Sequence, residues 1–449
     1  MQVTILGHAS LFIEAAGQRI LLDPVLRTTS LLGSVVHQYP RALNLEAMPR
    51  PDLLVITHEH YDHFDPETLE KLPKDLPMVI PPDERLERDL RNIGFSTFTR
   101  LGDWEHAVFG GVRLTATPSE ADVIELGLVV EAEGARFWHM SDAEPSEDTS
   151  ARILAEHGPM DFVTVKYQPP DPLLNYVHNL SSSFDRSTVA RWLEHACACR
   201  PKLAFPYASG LCLSEDHHWL NRYAYPISPE FARSVLAKRL AGIGEATVMK
   251  PGDVISIEDG RVRVDRQASA FVRQGAPDTV VRWEPIELEH LTGIASADKR
   301  EELRGELTRL VANGEFSNWI AQHPKLLKPF MEWGIVCQFV VHLGGGERIC
   351  FQADFSGPNP ETRMGENDAA AYFMHISGGA TRELLEGTNS SVEVIYQGRA
   401  RIFERIIAVR DGKVEASDAK HMYGTFPDPF FCFVNARARM MRKTLEAAE

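Results

Sequence analysis

Asp52-Leu53-Leu54-Val55-Ile56-Thr57-His58-Glu59-His60-Tyr61-Asp62-His63 joins two unlike textures without a break. Residues 52–57 are a short, almost wholly apolar run, the pattern of a strand buried on both faces. Four side chains able to ligate a metal follow within six residues: His58, His60, Asp62 and His63. His58 and His60 alternate in extended chain and can share one ion. Asp62 and His63 lie where the chain turns toward a helix and can face a second. Imidazole and carboxylate donors suit zinc or iron.

Outward from this stretch, strands and helices alternate. Short apolar runs at Val3–Leu6, Leu11–Glu14 and Arg19–Leu22 are broken by Gly7 and Gly17. Helical patterns are expected at 66–72, 83–92, 147–157, 187–198 and 229–241, with strands at 78–80, 112–115, 126–132, 135–139 and 162–165. Alternation of this kind predicts a layered α/β domain, closed by a small β element over 246–264. After residue 265 the texture changes to α+β: a linker-like 268–278, a charged helix over 297–312, a hairpin of 335–343 and 348–355 around Gly344-Gly345-Gly346, strands at 371–376 and 392–396, and a short helix at 381–385. Two domains, 1–264 and 265–449, are therefore expected.

The HxHxDH string resembles the signature of the metallo-β-lactamase fold, an αββα sandwich with its metal site at the edge between two sheets. Gly7-His8-Ala9-Ser10 and Ile20-Leu21-Leu22-Asp23-Pro24 resemble the subgroup of ascorbate-phosphate lactonases and N-acyl-phosphatidylethanolamine phospholipases. The resemblance spans roughly residues 1–262. It implies a bridging carboxylate at Asp142, in Trp138-His139-Met140-Ser141-Asp142, and a distant last histidine at His217 or His218, after the strand Leu203-Ala204-Phe205-Pro206. The family's third histidine, in a Thr-Pro-x-His context, corresponds to Thr117-Pro118-Ser119-Glu120, so a glutamate stands in its place. Glu120 is then an oxygen ligand or the mark of a lost metal.

With Glu120, three carboxylates face the metals, which compensates two Fe(III) better than two Zn(II). The same replacement occurs in the di-iron monooxygenases of natural-product biosynthesis, which this chain resembles at the ligand positions. Phe205-Pro206-Tyr207-Ala208-Ser209-Gly210, with Asp216-His217-His218 following, also resembles CMP-sialic acid hydroxylases. Those carry a Rieske centre, whereas no CxH…CxxH pattern is present here, so a separate reductase would supply electrons.

The resemblance thus implies two iron ions (alternatively two zinc or manganese ions) with O2 as cosubstrate. His58, His60 and Glu120 would hold the first ion and Asp62, His63 and His217 or His218 the second, with Asp142 bridging. Glu120 and Asp142 would be the groups closest to the chemistry. The rival expectation is a metallohydrolase, a lactonase or phosphodiesterase using metal-bound hydroxide.

Around the ligands, Asp23 and His8 are candidates for orienting an imidazole, His139 belongs to its strand, and His178 lies on a polar loop. The C-terminal hairpin, strand and helix resemble a sterol-carrier-type module. Such modules enclose apolar ligands or form dimer surfaces, which implies a bulky hydrophobic small-molecule substrate and a homodimer.

Composition bounds the rest. The 63 acidic residues against 47 basic ones give a formal net charge of −16, which argues against nucleic acid or an anionic membrane as partner. No run of about 18 apolar residues predicts a membrane span, and no cleavable signal is expected at the start. Six scattered cysteines, with Cys197-Ala198-Cys199 too close for a CxxC motif, fit a reducing cytoplasm.

Overall fold

The apolar run at 52–57 carries the strand Leu53–Val55, buried at all three residues. Leu53 and Val55 turn into one core while Leu54 and Ile56 turn into another, as the period of two in a strand requires. The computed structural model describes residues 1–30, 35–168, 186–213, 227–275, 293–294, 296–367, 370–404, 407–410, 413–416 and 428–446. Within it the strand belongs to an eight-stranded sheet ordered Arg261–Asp265, Val254–Glu258, Gln2–Gly7, Ser10–Ala15, Gln18–Leu22, Leu53–Val55, Met78–Ile80, Phe98–Arg100. Pairing is antiparallel up to Gln18–Leu22 and parallel beyond it. Parallel neighbours need crossover connections, and the helices Pro66–Lys71 and Glu84–Ile93 lie in two of them.

A seven-stranded sheet repeats the logic: His106–Phe109, Val112–Thr117, Gly127–Ala132, Ala135–His139, Phe162–Val165, Leu203–Pro206, Glu245–Ala246. It is antiparallel through Ala135–His139 and parallel afterwards, with helices Glu147–His157, Arg186–Ala198 and Pro229–Arg239 between the parallel strands. Alternate residues of the two sheets share one core: Val3, Ile13, Leu22 and Val55 from the first, Leu114, Leu128, Phe137, Phe162 and Phe205 from the second. The outer face of the first sheet packs Phe12, Leu21 and Leu54 against Leu69, Leu86 and Leu90. That of the second packs Trp138, Val163 and Ala204 against Ile153, Trp192 and Leu236. Each such Val, Leu, Ile or Phe side chain contributes about 1.5–3 kcal/mol by leaving water, and four layers, αββα, result.

The chain forms two units, Met1–Pro170 with Phe184–Arg282 and Asp171–Ser183 with Trp283–Glu449. The first therefore runs past the expected boundary at 264. Val272–Gln274 pairs antiparallel with Arg41–Leu43, and Phe271 and Val272 sit in the core beneath the first sheet.

The second unit holds a five-stranded sheet ordered Glu361–Met364, Glu347–Asp354, Val336–Gly344, Tyr372–Ser377, Ala400–Glu404. The hairpin turns at the glycines, Gly344, Gly345 and Gly346 all having positive φ. Phe339 and Phe351 stack 5.0 Å apart, and both meet Phe316 and Phe430 from the helices Glu315–Gln322 and Pro429–Glu446. One expectation fails here: 392–396 is not a strand but the helix Ser391–Tyr396. Ser390 and Glu393 form a capping box at its start, and reciprocal satisfaction of two N-terminal donors favours helix over the β-branched composition. The strand that follows is Ala400–Glu404. Among the described residues, no helix is long and apolar enough to cross a membrane.

His342 and His375 face each other across neighbouring strands of this sheet, Nε2 to Nδ1 at 2.9 Å. Burial, then His342, Arg348 and Arg401, lowers His375 from 6.5 to about 4, and burial with Arg348 lowers His342. Between about pH 6.5 and 4 the unfolded chain binds more protons than the folded one, so stability falls on acidification through that window and is whole above it. The urea midpoint of the second unit is expected to drop between pH 6.5 and 4, and to drop less in His375→Asn. Parallel pH profiles for the two proteins would contradict this.

Candidate metal centre

Both sheets end their parallel strands at one edge, and the polar residues there are the ones that follow the strands. Asp23 comes next after Gln18–Leu22, Thr57 and His58 follow Leu53–Val55, Ser141 and Asp142 follow Ala135–His139, and Lys166 follows Phe162–Val165. The pairing of Leu22 with Val55 extends by one bond, Asp23 N–H to Val55 O at 2.9 Å. This sets the fully buried Asp23 beside Thr57. Asp23 Oδ1 accepts from Thr57 N–H at 2.8 Å; Oδ2 accepts from the Thr57 hydroxyl at 2.7 Å and from His63 Nδ1–H at 2.8 Å. Ser141 Oγ, from the other sheet, lies 2.8 Å from Thr57 Oγ1 and 3.2 Å from Asp23 Oδ2. An imidazole held at Nδ1 by a carboxylate presents Nε2 outward, the usual arrangement behind a metal ligand.

His58, His60, Asp62, His63 and Asp142 come together at this edge. His58 and His63 are buried with ring centroids 4.2 Å apart, and His58 Nε2 lies 3.0 Å from Nδ1 of the exposed His60. The turn that brings His63 back is closed by His63 N–H and Phe64 N–H donating to His60 O at 2.9 and 2.7 Å. His63 Nε2 stands 3.5 Å from Asp142 Oδ1 and 3.9 Å from Asp62 Oδ2. Ligating atoms of His58, His63 and Asp142 form one group close enough to hold an ion, and those of His8, Asp62 and His63 form another. His63 Nε2 and Asp142 Oδ1 are buried without a hydrogen-bond partner among the described residues. Orphaned atoms of this kind are costly unless something binds them, so the donor set fits metal ions.

The charges are mutually dependent. Burial opposes ionisation of His63, but Asp142, Asp23 and Asp62 hold it well above its ordinary value. Burial works against Asp142 as well, and His63 with Lys166 holds it well below the carboxylate range. Burial and His63 push His58 down to about 3, so it is a neutral donor.

Glu120 is in neither of these two groups. It is exposed, and its backbone N–H donates to Glu144 O at 2.8 Å. The glutamate on the same connection that feels the cluster is Glu125. Its carboxylate is raised by burial and by Asp142, lowered by Lys166 and His63, and accepts from Ser119 Oγ at 2.5 Å. Leu126 N–H donates to Thr57 O at 3.2 Å, which ties this connection to the HxHxDH loop. Lys166 Nζ donates to Asp142 O at 2.8 Å and lies 3.4 Å from Glu144 Oε1. Sequence reasoning passed over Glu125 and Lys166, although the strand-end position that marks Asp142 also marks Lys166. His139 is buried in its strand with Nδ1 2.8 Å from Thr164 Oγ1, as expected. His178, His217 and His218 lie outside the described residues.

Asp23→Asn removes the charge behind His63 while keeping the shape. It is expected to weaken metal affinity by about 10–100-fold with the fold retained by circular dichroism. Unchanged affinity in a chelator competition would refute the orienting role.

Residues 18–197 match the family profile described as Beta-lactamase superfamily domain. A Mycolicibacterium smegmatis protein, named as a candidate Rieske 2Fe-2S iron-sulfur protein, is 33% identical over 156 residues, 32% of this chain and 30% of that one. A UPF0173 metal-dependent hydrolase of Sulfurisphaera tokodaii is 26% identical over 176 residues, 36% of this chain and 69% of the hydrolase. The 4-amino-L-phenylalanyl-[CmlP-peptidyl-carrier-protein] 3-hydroxylase of Streptomyces venezuelae is 31% identical over 120 residues, 25% of this chain and 22% of the hydroxylase. The chain thus spans about a third or less of the mycobacterial relative and of the hydroxylase. Among solved structures, CmlA, a diiron beta-hydroxylase from Streptomyces venezuelae, aligns with a TM-score of 0.42 at 18% identity, covering 59% of this chain and 54% of that one. The layered sandwich and the strand-end cluster lie largely where the profile matches: residues 18–197 are similar to the beta-lactamase superfamily domain, and the αββα layering is consistent with a metallo-β-lactamase fold.

Proposed function

We propose that the first unit is a non-haem di-iron monooxygenase, hydroxylating an unactivated C–H of a bulky hydrophobic small molecule with O2 and electrons from a separate reductase. The observation that carries this reading is the carboxylate excess of the site. Asp142, Glu125 and Glu144 gather around one ammonium, Lys166, with Asp62 on the other side of His63 in a second donor group, which favours ions of higher charge than Zn(II). His58, His60, Asp62, His63 and Asp142 would hold two irons, with one glutamate completing the oxygen donors. Iron there would supply reductive activation of O2.

The chain's own residues do the rest. Asp23 fixes the tautomer of His63. Lys166 clamps the Asp142 backbone and Glu144, so the Asp142 carboxylate keeps its direction. Tyr61 and Ile124, 53% and 51% exposed on the two loops tied by the Leu126–Thr57 bond, offer apolar surface to a hydrophobic substrate beside the cluster.

A hydrolytic reading is favoured by the likeness to the Sulfurisphaera tokodaii metal-dependent hydrolase. In it the same donors would hold zinc or manganese and a water would be deprotonated for attack on an ester or phosphoester. Metal quantification on anaerobically purified protein separates the two: about two irons per chain are expected, and stoichiometric zinc in the native protein would count against oxygen chemistry. Oxygen-isotope label is expected to enter product from O2; label entering from water would establish hydrolysis.

The glutamate is tested separately. Glu125→Gln is expected to lose about one metal equivalent while Glu120→Gln keeps both. The reverse pattern would return the ligand role to Glu120.

A further inference from the structure

On the outer face of the first sheet, the helix Pro66–Lys71 and the segments 26–27, 45–51 and 72–73 line a cavity of about 340 Å³. None of its lining residues is a donor of the metal centre, and all belong to the first unit. Its walls are mostly apolar. Leu26 belongs to the core under that sheet face, and Met48 and Leu72 pack against the same core while only half-buried. The rest of the apolar lining includes three prolines. A proline offers no N–H and fixes its own φ, so that part of the wall is stiff and donates nothing. The volume lies within the usual range of small-molecule pockets, roughly 300–1,000 Å³.

Charge narrows the choice of ligand. Arg27, Arg50 and Lys71 line the cavity and no acidic residue does, although acids outnumber bases by 63 to 47 in the chain. Two of these cations are already engaged. Arg27 pairs with the buried Asp65 at 2.9 Å and with Glu67 at 2.7 Å, and Arg50 pairs with Asp75 at 2.6 Å. Lys71 has no acidic partner among the described residues, because Glu67, one turn before it on the same helix, is held by Arg27.

The walls stand without a ligand. Thr68 Oγ1 accepts from Leu26 N–H at 3.1 Å and donates to Asp65 Oδ2 at 2.5 Å, so Asp65 joins the start of the helix to both Leu26 and Arg27. A preformed apolar space loses little freedom when it is filled.

We propose that this cavity is a binding site, separate from the metal centre, for a small amphipathic carboxylate of the acyl or aryl acid class. The apolar body lies among Leu26, Met48 and Leu72, and the carboxylate meets the Lys71 ammonium. A neutral amphiphile leaves that ammonium without a counter-ion, and a cationic one is repelled by all three basic residues. The site stands whichever reaction the metals serve.

The test is equilibrium dialysis of the full chain with decanoate, decanol and decylammonium, followed by light-driven labelling with a diazirine-bearing decanoate and mapping of the labelled peptides. Decanoate is expected to bind saturably and most tightly, decylammonium most weakly, with label in 26–27, 45–51 or 68–73. Lys71→Gln, a change at an exposed residue, is expected to weaken decanoate about fivefold and to leave decanol unchanged. Leu45 also lines the cavity and is 47% exposed. Leu45→Glu is expected to abolish decanoate binding while the melting temperature of the unliganded protein stays the same. Decanoate affinity unaltered in both variants, equal affinity for decylammonium, or label confined to other peptides would overturn the proposal.

Discussion

The carboxylate of Asp23 is the constraint on which the rest of the site depends. A buried charge of this kind is tolerated only with full hydrogen bonding, and Asp23 obtains it from one strand end of its own sheet and from Ser141 of the other. Burial alone would raise its pKa, yet His63 keeps it below the ordinary carboxylate value. One side chain therefore registers the two sheets against each other and aims the imidazole between them. Leu22 and Val55 are paired so that Asp23 and Thr57 fall level. The inter-sheet core fixes the spacing, and the polar edge inherits it.

Backbone strain collects at the same edge. His8, Asp23 and Ser141 all have left-handed φ, 51°, 42° and 52°, each at a cost of about 1–3 kcal/mol relative to ordinary backbone. Each strained residue ends or follows a strand and turns a polar side chain into the cluster. The apolar core on both sides of the sheets supplies enough stabilisation to hold them. That pattern explains why the sequence made Asp23 no more than a candidate for orienting an imidazole: an aspartate before a proline has the same local chemistry whether it caps a turn or backs an imidazole. The partner that decides is His63, distant in the chain.

Much of the first unit was legible because its signals are local and periodic. An apolar run such as 52–57 has one stable use, and HxHxDH directly after it places donors at a strand end. The helix at Glu147–His157 begins at a Ser146 cap accepting from Thr149 N–H, another local cue. Where reading failed, the deciding contact was non-local or a stronger local cue was overlooked. Val392-Glu393-Val394-Ile395 has β-branched composition, but Ser390 and Glu393 close a capping box around its start. Glu125, which the sequence did not single out, is marked by burial and by the charges of Asp142 and Lys166, and these depend on how the 119–126 connection folds back onto Thr57.

Lys166 explains how so many carboxylates coexist. Asp142, Glu125 and Glu144 all act to raise its pKa against the opposing effect of burial, and its ammonium spends its short hydrogen bond on the Asp142 backbone carbonyl rather than on the carboxylate. The Asp142 oxygens are thus left available for a metal, while the field of the cation still favours their ionised form. A lysine bonded directly to that carboxylate would compete with a metal for the same lone pairs. By holding the peptide and not the ligand, Lys166 lowers the repulsion among the acids and keeps the donor set open, so the acidity of the centre and its capacity for cations are maintained by the same residue.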